Sequence, residues 1–103
     1  MVNLIHFDIQ SLRFFLYAAQ AGSLTKAAER SHMTTSALSK RISELEKAIG
    51  CPLFVRLPRG LALTPAGQNL TEHVQSLLNG VNRMALDMND YALGMRGHVR
   101  IWA

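Results

Sequence analysis

From Leu70 to Met95 the apolar residues Leu70, Val74, Leu77, Val81, Met84, Met88, Tyr91 and Met95 recur at steps of 4, 3, 4, 3, 4, 3 and 4. A strand would need a step of two, so this run is helical, and its average step is that of a coiled-coil seam. Thr64 followed by Pro65 supplies a cap and a first-turn proline ahead of it. The seam is roughly 38 Å long at about 1.5 Å per residue, more than the small domain in front of it can cover. A second chain is the expected cover, and Leu70, Val74, Leu77, Val81, Met84, Met88 and Tyr91 are the expected dimerisation residues. Gly80, inside the run, costs ~1 kcal/mol relative to Ala and marks a bend or a close helix crossing.

Shorter elements precede the seam. Asp8 can cap a first helix in which Ile9, Leu12, Phe15, Leu16 and Ala19 recur at helical spacing until Gly22. A second follows Ser23 and runs through Leu24, Ala27 and Ala28 to about Ser31. Thr34 caps a third, whose buried face is Leu38, Ile42, Leu45 and Ile49, and Gly50 ends it. After Pro52 the extended runs "LFVRL" and "LALT" flank Pro58, Arg59 and Gly60, which reads as a hairpin with a basic tip.

Ala28, Met33, Leu38 and Ile42 make the apolar skeleton of a helix-turn-helix, in which a small residue lets the two helices cross closely. With Leu38, Ile42 and Leu45 turned inward, the outward stripe of the third helix is Thr35, Ser36, Ser39, Lys40 and Ser43. That stripe has no acid and is headed by a helix amino terminus, whose free N–H groups and partial positive charge suit phosphate or the edge of a base. Hydroxyls at a helix start also serve simply as caps. Charge distribution favours a polyanionic partner for the front half. Up to Leu63 there are eight bases (Arg13, Lys26, Arg30, Lys40, Arg41, Lys47, Arg56, Arg59) against four acids (Asp8, Glu29, Glu44, Glu46), which holds the whole excess of +4.

Other chemistries find no support. His6, His32, His73 and His98 are scattered without a second ligand at metal spacing, and no glycine-rich phosphate loop or Ser-His-acid set is evident. Cys51 is the single cysteine, so an internal disulfide is excluded and a small packed residue is the expected role. The amino-terminal "MVNLIHFDIQ" lacks the basic segment and apolar run of a signal peptide, and no apolar run is long enough to span a bilayer. The expected setting is cytoplasmic, with no membrane partner.

Residues 7 to about 95 resemble the amino-terminal DNA-binding region of LysR-type transcriptional regulators, through "GSLTKAAER", "ALSKRISELE", "PLFVR" and "LTPAG" at that family's spacing. The resemblance implies a mainly α fold, a winged helix-turn-helix of three helices and a two-stranded wing followed by a long dimerising linker helix. The implied division is 1–63 for the DNA-binding domain, 64–95 for the linker helix and 96–103 for the start of an effector-binding domain, with "GHVRIWA" similar to that domain's first strand. It places phosphate and base contacts on Lys26, Thr34, Thr35, Ser36, Ser39, Lys40 and Arg59. Many members have Gln at the position of Thr35, Pro at that of Ser36 and a larger apolar residue at that of Ser31. The partners implied are double-stranded DNA and a second copy of the chain, near the nucleoid, and assembly beyond a dimer or contact with RNA polymerase is compatible with the family. No cofactor is expected in this stretch, a small-molecule effector being assigned to the carboxy-terminal domain. A winged helix that docks a protein partner is the competing reading, with an enzyme a distant third.

Overall fold

Short polar side chains set the starts of the helices. In the computed structural model, which describes residues 7–97 and side chains as far as residue 94, α1 (Ile9–Ala21) begins under Asp8, whose carboxylate accepts from the Ser11 amide at 2.9 Å. α2 (Leu24–Ser31) begins under Ser23, which accepts from the Lys26 amide at 3.3 Å. α3 (Thr35–Ile49) begins under Thr34, which accepts from Ala37 at 3.1 Å. Each bond satisfies a donor that a helix start leaves unpaired. Gly22 and Gly50 close α1 and α3 in the left-handed region. His32 closes α2 the same way at φ 56°, the one non-glycine residue with positive φ among those described.

A hairpin follows: β1 (Phe54–Leu57) pairs antiparallel with β2 (Gly60–Leu63) in the register Phe54 to Leu63 and Leu57 to Gly60. Gly60, expected in the turn, therefore belongs to the second strand, and Pro58 and Arg59 alone form the tip. The last element, α4 (Pro65–Gly97), is a 33-residue helix. Thr64 caps it by accepting from the Gly67 amide at 3.0 Å, and donates its own proton to the Pro52 carbonyl at 2.8 Å. The mainly helical order of three helices, wing and long helix agrees with the sequence expectation. Of the expected strand "GHVRIWA", Gly97 is the last residue of α4, and residues 98–103 lie outside the described residues, as does the Met95 side chain.

α1 lies in the middle and is buried on two sides. Leu12, Phe15 and Leu16 join Leu45, Leu53 and Val74 in one cluster. Phe14 and Ala18 join Ala27, Ala28, Leu38 and Ile42 in another. A single apolar face of Ile9, Leu12, Phe15, Leu16 and Ala19 is thus too simple. Ile9 is 46% exposed, while Phe14 and Ala18 are buried because α2 and α3 cover that side. The Phe15 and Phe54 rings, 5.3 Å apart and tilted by 48°, link the wing to the first cluster.

Two glycines permit close backbone contacts that bind the elements together. A Cβ on Gly67 would strike the Leu53 carbonyl oxygen, so only glycine lets the first turn of α4 sit against the root of the wing. A Cβ on Gly60 would strike the Gly22 carbonyl oxygen, which accepts from the Leu61 amide at 3.0 Å. The turn between α1 and α2 is thereby fastened to the wing.

Candidate nucleic-acid interface

The helix-turn-helix skeleton packs as its spacing requires. Ala28, Leu38 and Ile42 are buried and Met33 packs half-buried against them. Ser31, where a larger apolar residue would be usual, turns its hydroxyl back to the Ala27 carbonyl at 2.8 Å and so satisfies its polar atom within α2. Arg41 completes the support from behind. Its Nη1 donates to the buried Ser11 hydroxyl at 3.2 Å, and its guanidinium carbon lies 5.2 Å from the centre of the Phe14 ring. Hydrogen bonds from the Ser11 hydroxyl and amide, with help from the Arg41 charge, hold the Asp8 carboxyl below its ordinary range.

That packing leaves Thr34, Thr35, Ser36 and Lys40 exposed at the outer start of α3, with Ser39 and Ser43 half-buried beside them. Thr34 has its hydroxyl oxygen committed to the cap. Thr35 and Ser36 occupy the first turn, where backbone N–H groups have no partner within the helix. Lys26 is exposed on the first turn of α2, and Arg59 is exposed at the tip of the wing. Arg30, by contrast, is committed within the chain: its guanidinium carbon is 4.4 Å from the centre of the Tyr17 ring and its Nη1 donates to Gln20 at 3.1 Å.

Two further ties, neither read from the sequence, fix the wing to α3. Glu46 near the end of α3 accepts from the Leu53 and Phe54 amides at 2.7 and 3.2 Å. Farther along, Arg56 on β1 donates through Nη2 to the Ser39 hydroxyl at 2.8 Å. Ser39 is therefore already a hydrogen-bond acceptor within the chain. The only available signal for Arg56 was its place in a short run with a basic character, since its partner is 17 residues away.

The seam divides between two environments. Val74 is 1% exposed and lies in the first core cluster, with Leu70 packed beside it. The expectation that Val74 faces a partner chain is corrected here, because α1 and the wing root already cover it, while Leu70 is half-buried. Beyond them Leu77, Met84, Met88 and Tyr91 are 42, 58, 55 and 69% exposed, and Val81 is half-buried. Among the described residues no helix is long and apolar enough to cross a membrane, and no group of three His, Cys, Asp or Glu could hold a metal ion.

The buried skeleton between α2 and α3, the hairpin fastened beside α3 and the long helix leaving the wing root define a winged helix-turn-helix module carried on an extended helix. A family model described as the bacterial regulatory helix-turn-helix protein of the lysR family matches residues 9–68, and the chain belongs to that family. It is 34% identical over 94 residues to the HTH-type transcriptional regulator TfdT of Cupriavidus pinatubonensis, covering 91% of this chain and 41% of the relative. It is 35% identical over 94 residues to the HTH-type transcriptional activator AllS of Klebsiella pneumoniae, covering 91% of this chain and 35% of the relative. The chain thus spans well under half the length of these curated relatives. Among solved structures, it resembles the BenM DNA-binding domain in complex with catB site 1 DNA at a TM-score of 0.81 and 30% identity, covering 84% of this chain and 98% of that one. The CbnR DNA-binding domain in complex with DNA gives 0.77 and 28%, covering 82% and 98%.

Proposed function

We propose that this chain is the sequence-specific, double-stranded DNA-binding part of a LysR-type transcriptional regulator, acting as a homodimer on an interrupted palindrome. The observation that carries the reading is the exposed surface of Thr35, Ser36 and Lys40 at the start of a firmly anchored helix, with Arg59 projecting from the wing beside it. The start of α3 enters a major groove, the wing tip lies along the adjacent minor groove, and Lys26 meets the backbone. Thr35 offers one hydroxyl and a methyl, which suits thymine better than the bidentate pair with adenine that Gln would make. The exposed apolar stripe of α4 from Leu77 to Tyr91 joins two copies and sets the spacing of the half-sites. Residues 1–63 are then the reading domain and α4 the connecting helix, which leads toward an effector-binding domain on which a small molecule acts. The setting is the cytoplasm, at the nucleoid.

Selection of bound sequences from a random DNA pool tests this directly, followed by titration of the selected site in salt. Affinity should fall by about a thousandfold or more from 50 to 200 mM salt if ~6 to 10 phosphates are met. Lys40→Ala should reduce discrimination between selected and random DNA by about 1 to 3 kcal/mol. Absence of any DNA affinity at low salt would remove the reading and favour a module that docks a protein.

A further inference from the structure

Arg56 stands where the two parts of the proposed reading surface meet. It lies on β1 opposite Leu61, and its side chain crosses to the outer face of α3, where Nη2 donates to the Ser39 hydroxyl at 2.8 Å. An exposed arginine is ordinarily free to sample many rotamers, and this one is pinned at a single point. A guanidinium has five N–H donors in a rigid fork. The bond to Ser39 engages one side of the fork, and Arg56 as a whole stays exposed. The same residue lines a recess that includes Ser23 and Thr25 at the start of α2, with no carboxylate among the lining residues.

Place α3 in a major groove and the Pro58–Arg59 tip at the adjacent minor groove, and the sugar-phosphate strand that separates the two grooves must pass between them. Arg56 occupies that interval. A planar guanidinium matches a phosphate bidentately, whereas reading a base edge from this position would require it to reach past α3. We propose that Arg56 binds a backbone phosphate on the strand between the two grooves, and that Ser39 is its positioning residue and not a base reader. The inference rests on the DNA-binding reading above and deepens it.

The test uses the selected DNA site and the whole chain, unaltered and with Arg56→Ala, Arg56→Gln, Ser39→Ala and the Arg56→Ala/Ser39→Ala pair. Arg56→Ala should weaken selected and random DNA by the same factor and reduce the slope of log affinity against log salt by about 0.9. Ser39→Ala should weaken both DNAs by one smaller factor, leave the preferred bases in a repeated pool selection unchanged, and have no added effect beside Arg56→Ala. A single methylphosphonate at the contacted phosphate should reproduce the loss in the unaltered chain and be silent with Arg56→Ala. Should Arg56→Ala fail to fold by circular dichroism, Arg56→Gln keeps part of the aliphatic stem and a polar end without the charge, and must show the same loss of slope. A change in base preference with Ser39→Ala overturns the assignment, as does an unchanged salt slope in a folded Arg56 variant. These outcomes need an unaltered chain that binds DNA, so they are distinct from failure of the DNA-binding reading itself.

Discussion

Between Phe7 and the first turns of α4, most large apolar side chains find cover within their own chain, with Ile9, Val55 and Leu57 as exposed exceptions, whereas along the outer half of α4 they do not. Phe15, Leu38, Leu45, Leu53 and Val74 are the largest fully buried side chains, and Leu77, Met84, Leu86, Met88, Tyr91 and Leu93 stand exposed. One unbroken sequence repeat runs through both regions. The repeat records helical spacing and apolarity, and says nothing about which partner supplies the other surface. Leu86 and Leu93 make the contrast sharper. At about 100° per residue, Leu86 lies some 200° from both Met84 and Met88, so the outer half is apolar on its back as well as along the seam.

Substitutions can separate the two regions, and the largest effect belongs to the first. Phe15→Ala should cost about 3 to 5 kcal/mol of folding stability, because it empties the cluster shared by α1, α3, the wing and α4. Urea unfolding followed by circular dichroism would show it. A loss below ~1 kcal/mol would mean that the front domain is less tightly integrated than its packing implies.

A smaller effect is expected at the edge of the same region. Asp8→Ala should remove about 1 kcal/mol near neutral pH through loss of the α1 cap. The Asp8 carboxyl is held below its ordinary value of 3.8 in the folded chain. Its contribution is therefore complete above that value and is lost as pH falls through the lower folded value. Urea midpoints measured from neutral to acid pH should converge for the unaltered chain and Asp8→Ala. Asp8→Asn, which can cap without charge, should remove the pH dependence while keeping much of the cap. The smallest effect on folding is expected from Met84→Glu, within about 0.5 kcal/mol for an exposed site. Its consequence belongs to assembly: sedimentation should show the mass falling from dimer to monomer, and an unchanged mass would place the contact elsewhere on α4.

What could be read from the sequence was what obeys local rules. Asp8, Ser23, Thr34 and Thr64 cap helices three residues ahead of the amide they accept from, and the α3 face Leu38, Ile42 and Leu45 is buried as its spacing implies. The stripe of Thr35, Ser36 and Lys40 was visible for the same reason, being what that buried face leaves outside. The bonds that hold this stripe in place were not visible. Arg41 to Ser11 spans 30 residues and Arg56 to Ser39 spans 17, and no local pattern pairs one polar residue with another over such distances. The second buried side of α1 was missed because a single helical period assigns a helix one apolar face, whereas α1 is covered on two sides. Val74 was misplaced by the converse error, since a faultless repeat concealed where the domain ends and the free helix begins.

The seat of Gly67 against Leu53 has a mechanical consequence. A helix of 33 residues is about 50 Å long, and its first turn is locked to the wing without room for a methyl group. Such a helix works as a lever whose short arm ends at the wing and whose long arm reaches into solvent. A tilt of about 6° at the pivot sweeps the far end through roughly 5 Å for a rod of that length, and a small rotation imposed at the far end arrives at the wing as torque.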